Sequence, residues 1–257
     1  MQESIKEKDG VQIYIYVNKG RDILPWLKLH KNVQKKYDLI LKIHTKKHTQ
    51  MAEIFSHQWE NYLLGNLIGS KEVVSNIISE FVSNPFLGVL FPPYPKEFML
   101  VAPNAFRGSS RETFFFDLIK RRLGLNHPVE DNSYLFSVGT MFWYRPSALN
   151  KLFANEIINT SDFPIEPIKN ENSIAYGIER AIPYIAQDAG YSIRIGLTLH
   201  SLLDFFLVYQ ERILSKYVSK YDLLKTNTYR SKNILKTVFI GSKLFFTHIF
   251  RWLRKTL

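Results

Sequence analysis

Two apolar runs separated by a helix-spaced stretch constrain this chain more than any other feature. Residues 11–17 (VQIYIYV) are β-branched and aromatic, as a buried strand requires. Asn18-Lys19-Gly20-Arg21-Asp22 breaks the run. Residues 23–37 then carry Ile23, Leu24, Leu27 and Val33 among basic residues, a helical spacing that tolerates Pro25 in its first turn. Residues 38–45 (DLILKIHT) form a second strand. Strand, helix and strand in this order predict a βαβ unit, with parallel pairing and a right-handed crossover, and so an α/β protein.

The rest of the chain continues the alternation. Residues 51–82 read as helices with a break near 65–70 and an N-cap at Ser70; Asn84-Pro85 stops the second. Residues 87–91 (LGVLF) are a short buried strand, and the proline-rich stretch 92–110 is a loop. A helix over 111–123 ends at Gly124, and the apolar run 134–144 (YLFSVGTMFWY) reads as strand. Arg145-Pro146-Ser147 turns into a helix over 148–153. A loop over 162–170 leads to a helix over 171–186 that Pro183 disturbs, and then to a last strand over 191–197. No internal repeat is visible.

Charge separates a body from a tail. Residues 1–211 hold 23 Lys/Arg and 22 Asp/Glu, whereas residues 212–257 hold 11 Lys/Arg and one acid, Asp222. We therefore divide the chain into an α/β domain over 1–200 and a basic helical tail over 201–257. Residues 234–253 resemble a membrane span, but Lys236, Lys243 and Arg251 lie inside it, each costing roughly 2.5–3.5 kcal/mol at a bilayer centre. On a helical wheel Lys236, Lys243 and Arg254 fall within about 20° of one another. Val238, Phe239, Phe245, Phe246, Ile249, Phe250, Trp252 and Leu253 fill the other half. Such a helix lies in the interface of an anionic membrane, through residues 231–257; the alternative is a helix docked on the domain with its basic face exposed. Nucleic acid is not the expected partner, since a binder of that kind spreads its charge over the folded face. The opening MQESIKEKDG carries no secretory signal. With no cysteine, the chain has no disulfide, thiol nucleophile or thiolate metal site. Its 46% apolar and 22% charged residues argue against disorder and against a polytopic membrane protein.

Five segments in order carry a resemblance. They are Asn18-Lys19-Gly20-Arg21-Asp22 with Pro25; Tyr37-Asp38 through Lys42-Ile43-His44-Thr45-Lys46-Lys47; and Trp59 to Leu63-Leu64-Gly65 with Leu67-Ile68-Gly69-Ser70. Then come Gly139-Thr140-Met141-Phe142-Trp143-Tyr144-Arg145-Pro146 with Ala148-Leu149, and Ala175 to Ile178-Glu179-Arg180. In this order and spacing, over about residues 11–186, the chain resembles the rhamnan synthesis protein F family of bacterial polysaccharide glycosyltransferases. The resemblance implies transfer of a sugar, typically rhamnose from dTDP-rhamnose, to a lipid-linked glycan acceptor of cell-surface polysaccharide synthesis. It places the protein in the cytoplasm, peripheral on the inner face of the bacterial plasma membrane. It also implies a GT-A-like, Rossmann-type sandwich. Only ten residues, five of them charged, precede the strand over 11–17, so part of the N-terminal nucleotide-binding segment of that fold is expected to be lacking. A truncated, inactive scaffold of a membrane-bound synthesis complex is therefore the second reading.

Candidate site residues follow. Asn18, Gly20, Arg21 and Asp22 form the donor-side turn. Asp22 follows a glycine turn after a strand, so its carboxylate is expected at the carboxyl edge of the sheet, where ligands of open α/β sheets bind; it is equally placed to cap the helix. Where a GT-A fold carries Asp-x-Asp for a divalent metal, this chain has His44-Thr45-Lys46-Lys47. A metal is possible, but His44, Lys46 and Lys47 are placed to meet the donor diphosphate themselves, which predicts metal-independent transfer; a solvated basic loop is the other reading. Glu171, expected to open the helix of Glu179-Arg180, is the first choice as general base and Glu179 the second. The alternatives are a helix-dipole partner for Glu171 and an ion pair with Arg180 for Glu179. Gly139, Thr140, Trp143 and Arg145 are expected to shape the acceptor side, with Met141 and Phe142 packed in the strand and Trp59 in the core. Tyr176 stands where the family usually has histidine. His30, His48, His57, His127, His200 and His248 show no metal spacing.

Overall fold

The computed structural model describes residues 3–8, 10–45, 53–93, 110–126, 136–137, 139–153, 158–165, 173–196, 198 and 202. Packing divides the chain into Met1–Ser201 and Leu202–Leu257, and the elements below belong to the first unit. Lys46, Lys47, Glu171 and the tail segment 231–257 lie outside the described residues.

In chain order the elements are β1 (Glu3–Lys8), β2 (Val11–Ile15), α1 (Ile23–Val33), β3 (Ile40–Lys42), α2 (Glu53–Ile68), α3 (Lys71–Ser83) and β4 (Leu87–Phe91). They continue with α4 (Ser110–Leu123), β5 (Phe142–Tyr144), a 3-10 turn (Pro146–Leu149), α5 (Asn150–Phe153), a second 3-10 turn (Thr160–Asp162), α6 (Ile174–Asp188) and β6 (Ser192–Ile195). The fold is mixed α/β around a four-stranded sheet of order β3-β5-β4-β6.

The expected βαβ unit does not form. β2 pairs antiparallel with β1 in a separate two-stranded sheet, and β3 pairs antiparallel with β5. Asp9-Gly10, a strong two-residue hairpin sequence, joins β1 to β2. Closing that short loop costs less entropy than a crossover through α1. The hairpin also leaves β2 uncovered on one face. Val11, Ile13, Ile15 and Val17, expected to be buried, are 49–74% exposed. In the main sheet, β4 and β6 are parallel, and β5 runs antiparallel to both β3 and β4. Thus β3, β4 and β6 share one direction and end at one edge.

Helices cover both faces of this sheet. Val89, Phe91, Phe142 and Tyr144 pack with Trp26 and Leu27 of α1, Ile119 of α4 and Ile178 and Ile182 of α6. Leu90 and Met141 pack instead with Leu63 and Leu67 of α2 and Ile77 and Phe81 of α3. A register shift between Leu87 and Val89 turns Leu87 to this second layer as well. Ser70 caps α3 as expected, its hydroxyl accepting from Val73 N–H at 3.2 Å.

α6 is the most enclosed helix. Pro183 sits inside it without ending it, because burial from Ile174 to Ala186 outweighs the lost hydrogen bond of roughly 3 kcal/mol. The helix starts at Ile174 behind its N-cap Ser173, three residues later than the expected start at Glu171. Gly177 lets it approach α4: a Cβ there would lie 2.4 Å from the Phe115 carbonyl oxygen. Gly177→Ala is expected to lower stability by about 1–3 kcal/mol, against a helix-propensity gain of about 1 kcal/mol. A Gly177→Ala chain with an unchanged urea midpoint would contradict this packing.

α1 carries a buried histidine. His30 is 0% exposed and lies flat against Phe153. Trp26 can only donate, and it does so to the Tyr144 hydroxyl at 3.1 Å. The same hydroxyl lies 2.9 Å from His30 Nδ1, within hydrogen-bond distance. Burial holds the imidazole pKa down to about 4, below its ordinary 6.5. The unfolded chain therefore takes up the proton first. Stability is full above pH 6.5 and falls as the pH drops towards 4. Over that interval one site contributes about 3 kcal/mol, at 1.36 kcal/mol per unit. Urea titrations at pH 7.5, 5.5 and 4.5 should show this slope, and His30→Phe should flatten it.

Candidate functional site

The site is built where β3 ends, at the edge shared by the carboxyl ends of β3, β4 and β6. Lys42 is opposite Phe142 in the β3–β5 register, so residues 43–45 and 139–141 leave the sheet side by side. This is the edge at which open α/β sheets bind ligands. Asp22 reaches it from the N-cap of α1 rather than from a strand of the same sheet.

Lys42 is the hub. Its side chain is 5% exposed, and Nζ donates to Asp22 Oδ2 at 2.5 Å and to the Thr140 carbonyl at 2.8 Å. The ammonium also lies 5.5 Å from the Trp26 ring centroid. Asp22 occupies the N-cap position but makes no side-chain cap bond, since its carboxylate faces Lys42. Burial alone would raise the Asp22 pKa; Lys42 and His44 beside it outweigh burial and hold the carboxyl below its usual range.

The Gly139–Thr140 turn closes the other side. Both residues have positive φ, 83° and 56°, which interrupts the expected long strand; among the described residues of that run Phe142–Tyr144 is strand. Glu179 Oε1 accepts from Gly139 N–H and from the Thr140 hydroxyl, both at 3.0 Å. Its Oε2 lies 3.8 Å from Arg180, so the ion pair weighed from the sequence exists, but the turn takes the closer contacts. His44 Nε2 meets the Gly139 carbonyl at 2.8 Å and Nδ1 meets the Thr45 carbonyl at 3.0 Å. His44 thus braces this turn through Nε2, while Nδ1 is held by its own neighbour Thr45.

Arg21 and Gly20 complete the donor-side turn. Arg21 takes the left-handed region, φ 53°, donates to the Tyr176 hydroxyl at 2.5 Å and lies over that ring at 5.0 Å. Gly20, φ 69°, could not carry a side chain: a Cβ would sit 2.6 Å from buried Phe163. Asn18 is exposed beside it.

Trp143 and Arg145 are not part of this cluster. Trp143 turns to the α2–α3 layer and donates to the Leu67 carbonyl at 3.1 Å. Arg145 lies past the other end of β5, roughly 16 Å from Thr140 at about 3.3 Å per residue. Its guanidinium donates to the Leu87 carbonyl at 3.0 Å and to the Phe81 carbonyl. A cleft of about 660 Å³ lies at that second edge, lined by Gln34, Tyr37, Asp38, Phe81 and Arg145 among others. It lies at the opposite end of β5 from Lys42, Asp22 and Glu179.

Two site residues escaped the sequence reading. Lys42 had a signal, a lone charge between Leu41 and Ile43 in a strand packed on both faces. Tyr176 had one too, as the residue in the position of the family histidine. Among the described residues, no group of three or more His, Asp or Glu side chains is placed to hold a metal. Glu179→Ala would orphan the Gly139 N–H and the Thr140 hydroxyl and is expected to cost about 1–3 kcal/mol. Glu179→Gln, which keeps a carbonyl acceptor, should recover most of that loss in urea unfolding.

No solved structure matches the chain. Two curated relatives do, each described as "Uncharacterized protein WxcX", from the B100 and ATCC 33913 strains of Xanthomonas campestris pv. campestris. Each is 30% identical over 194 residues, which cover 73% of this chain and 26% of the relative. The chain thus spans about a quarter of the length of these relatives. The family profile of rhamnan synthesis protein F matches residues 1–191, and the chain therefore belongs to the rhamnan synthesis protein F family.

Proposed function

We propose that the chain is a membrane-associated glycosyltransferase domain of bacterial cell-surface polysaccharide synthesis, a rhamnosyltransferase using dTDP-rhamnose and a lipid-linked glycan acceptor. The observation that carries this reading is the convergence of Asp22, Lys42, His44, Gly139, Thr140 and Glu179 at one sheet edge. Family membership sets its biological context.

In the proposed reaction an acceptor hydroxyl oxygen attacks the anomeric carbon from the face opposite the leaving group. The bond from that carbon to the diphosphate oxygen breaks with its electron pair, and the hydroxyl proton passes to a carboxylate. Glu171 is the proposed base, since Glu179 is committed to the Gly139–Thr140 turn. The departing diphosphate needs positive charge. Arg21 at the rim, with Lys46 and Lys47 after His44, is proposed to supply it without a metal. Among the described residues no helix is long and apolar enough to cross a membrane. We propose peripheral attachment to the anionic inner face of the plasma membrane through residues 231–257.

A second reading, an inactive glycosyltransferase-like scaffold, is favoured by the exposed apolar row Val11, Ile13 and Ile15 on β2, continued by Val17 beyond it. Calorimetry separates the two. The transferase should bind dTDP-rhamnose in preference to UDP-sugars, equally with magnesium or with EDTA. Glu171→Gln should bind alike yet transfer about 10²–10⁴ times more slowly. A folded sample that binds no nucleotide sugar would leave the scaffold reading standing, and activity lost in EDTA and restored by magnesium would overturn the lysine proposal.

A further inference from the structure

We propose that Lys42 is the positioning residue of the transfer site, acting through Asp22 and the Gly139–Thr140 turn, and that Asp22 is the group that grips a hydroxyl of the transferred sugar. This rests on the reading of the chain as a sugar transferase.

Three observations carry it. Stability does not account for the pair, because replacing a buried ion pair by apolar side chains is commonly neutral or stabilising. The lysine ties together three separate pieces of chain: its own strand end, the start of α1 and the turn before β5. Finally, Arg21 and Thr140 are the two non-glycine residues with positive φ among the described residues, and each adjoins or is a partner of Lys42. Backbone held in such conformations collects at functional sites, where the surroundings fix it.

Exposure assigns the roles within the pair. The Asp22 side chain is 20% exposed and that of Lys42 only 5%, so a ligand reaches the carboxylate and not the ammonium. An ionised carboxylate only accepts hydrogen bonds. It therefore selects a donor of O–H groups, such as a sugar ring, over a phosphate. Lys42 keeps that carboxylate ionised and aimed. On the far side of the turn, Glu179 and His44 hold Gly139 and Thr140 against the same lysine.

The test is a double-mutant cycle on the full chain, with dTDP-rhamnose as the probe and kcat/KM as the readout. Lys42→Met, Asp22→Asn and the double variant are assayed at 10 °C, with circular dichroism establishing that each is folded. Lys42→Met is expected to lower kcat/KM by about 100-fold, the scale of a 1 Å misplacement. Asp22→Asn should lose as much, and the double variant no more than either. If Lys42→Met fails to fold, the comparison of the double variant with Asp22→Asn decides: equal activity supports the proposal, and a further tenfold loss overturns it. It is also overturned if folded Lys42→Met stays within threefold of wild type, or if the losses multiply in the double variant. A wild-type chain that neither binds nor transfers the sugar sinks the transferase reading itself, a result distinct from all of these.

Discussion

The buried contact between Lys42 and Asp22 is the constraint on which the carboxyl edge of the sheet depends. Removing an ammonium and a carboxylate from water costs several kcal/mol per ion. The cost is offset only because Nζ finds a carboxylate, a carbonyl and the face of Trp26 together. The carboxylate and the ring come from the start of α1 and the carbonyl from the turn before β5. Once the lysine is dehydrated, the turn at residues 18–22, the first turn of α1 and the turn at 139–140 have little freedom to move independently.

Below this edge the support is apolar and aromatic. Phe142 and Tyr144 project from β5 onto the layer formed by α1, α4 and α6. The Tyr144 hydroxyl links Trp26 to His30, so the helix that presents Asp22 is fastened to the strand that follows Thr140. Trp26 meets Phe142, Tyr144 and Phe153 edge to face, a geometry that aromatic rings favour. α6 brings Glu179 and Tyr176 to the same place because its small residues, Gly177 above all, allow it to lie close to α4.

Much of this was legible from residue order, though not all. Residues 87–91 form β4 as expected, because a continuous apolar run between Pro85 and Pro92 has few alternatives. The Ser70 cap held for an equally local reason. Pairing was not legible: periodicity identifies strands but not their neighbours, and Asp9-Gly10 decided the partner of β2. The site was half legible. Gly20, Arg21, Asp22, His44, Gly139, Thr140 and Glu179 converge, whereas Trp143 and Arg145, adjacent in the motif, are carried by a three-residue strand to another face and another edge. Lys42 was hidden because the sequence shows a charge in a strand without showing what lies across from it.

Because β5 runs against its neighbours, the site joins segments that are far apart along the chain. Lys42 meets Thr140 across 98 positions, and Arg21 meets Tyr176 across 155. Contacts of such sequence separation form slowly, since loop closure must precede any gain from them. During synthesis the basic and acidic members of the cluster therefore stay hydrated until α6 has emerged. A chain not yet extended through α6 lacks Tyr176 and Glu179, so ligand recognition by this edge arises only with the completed fold.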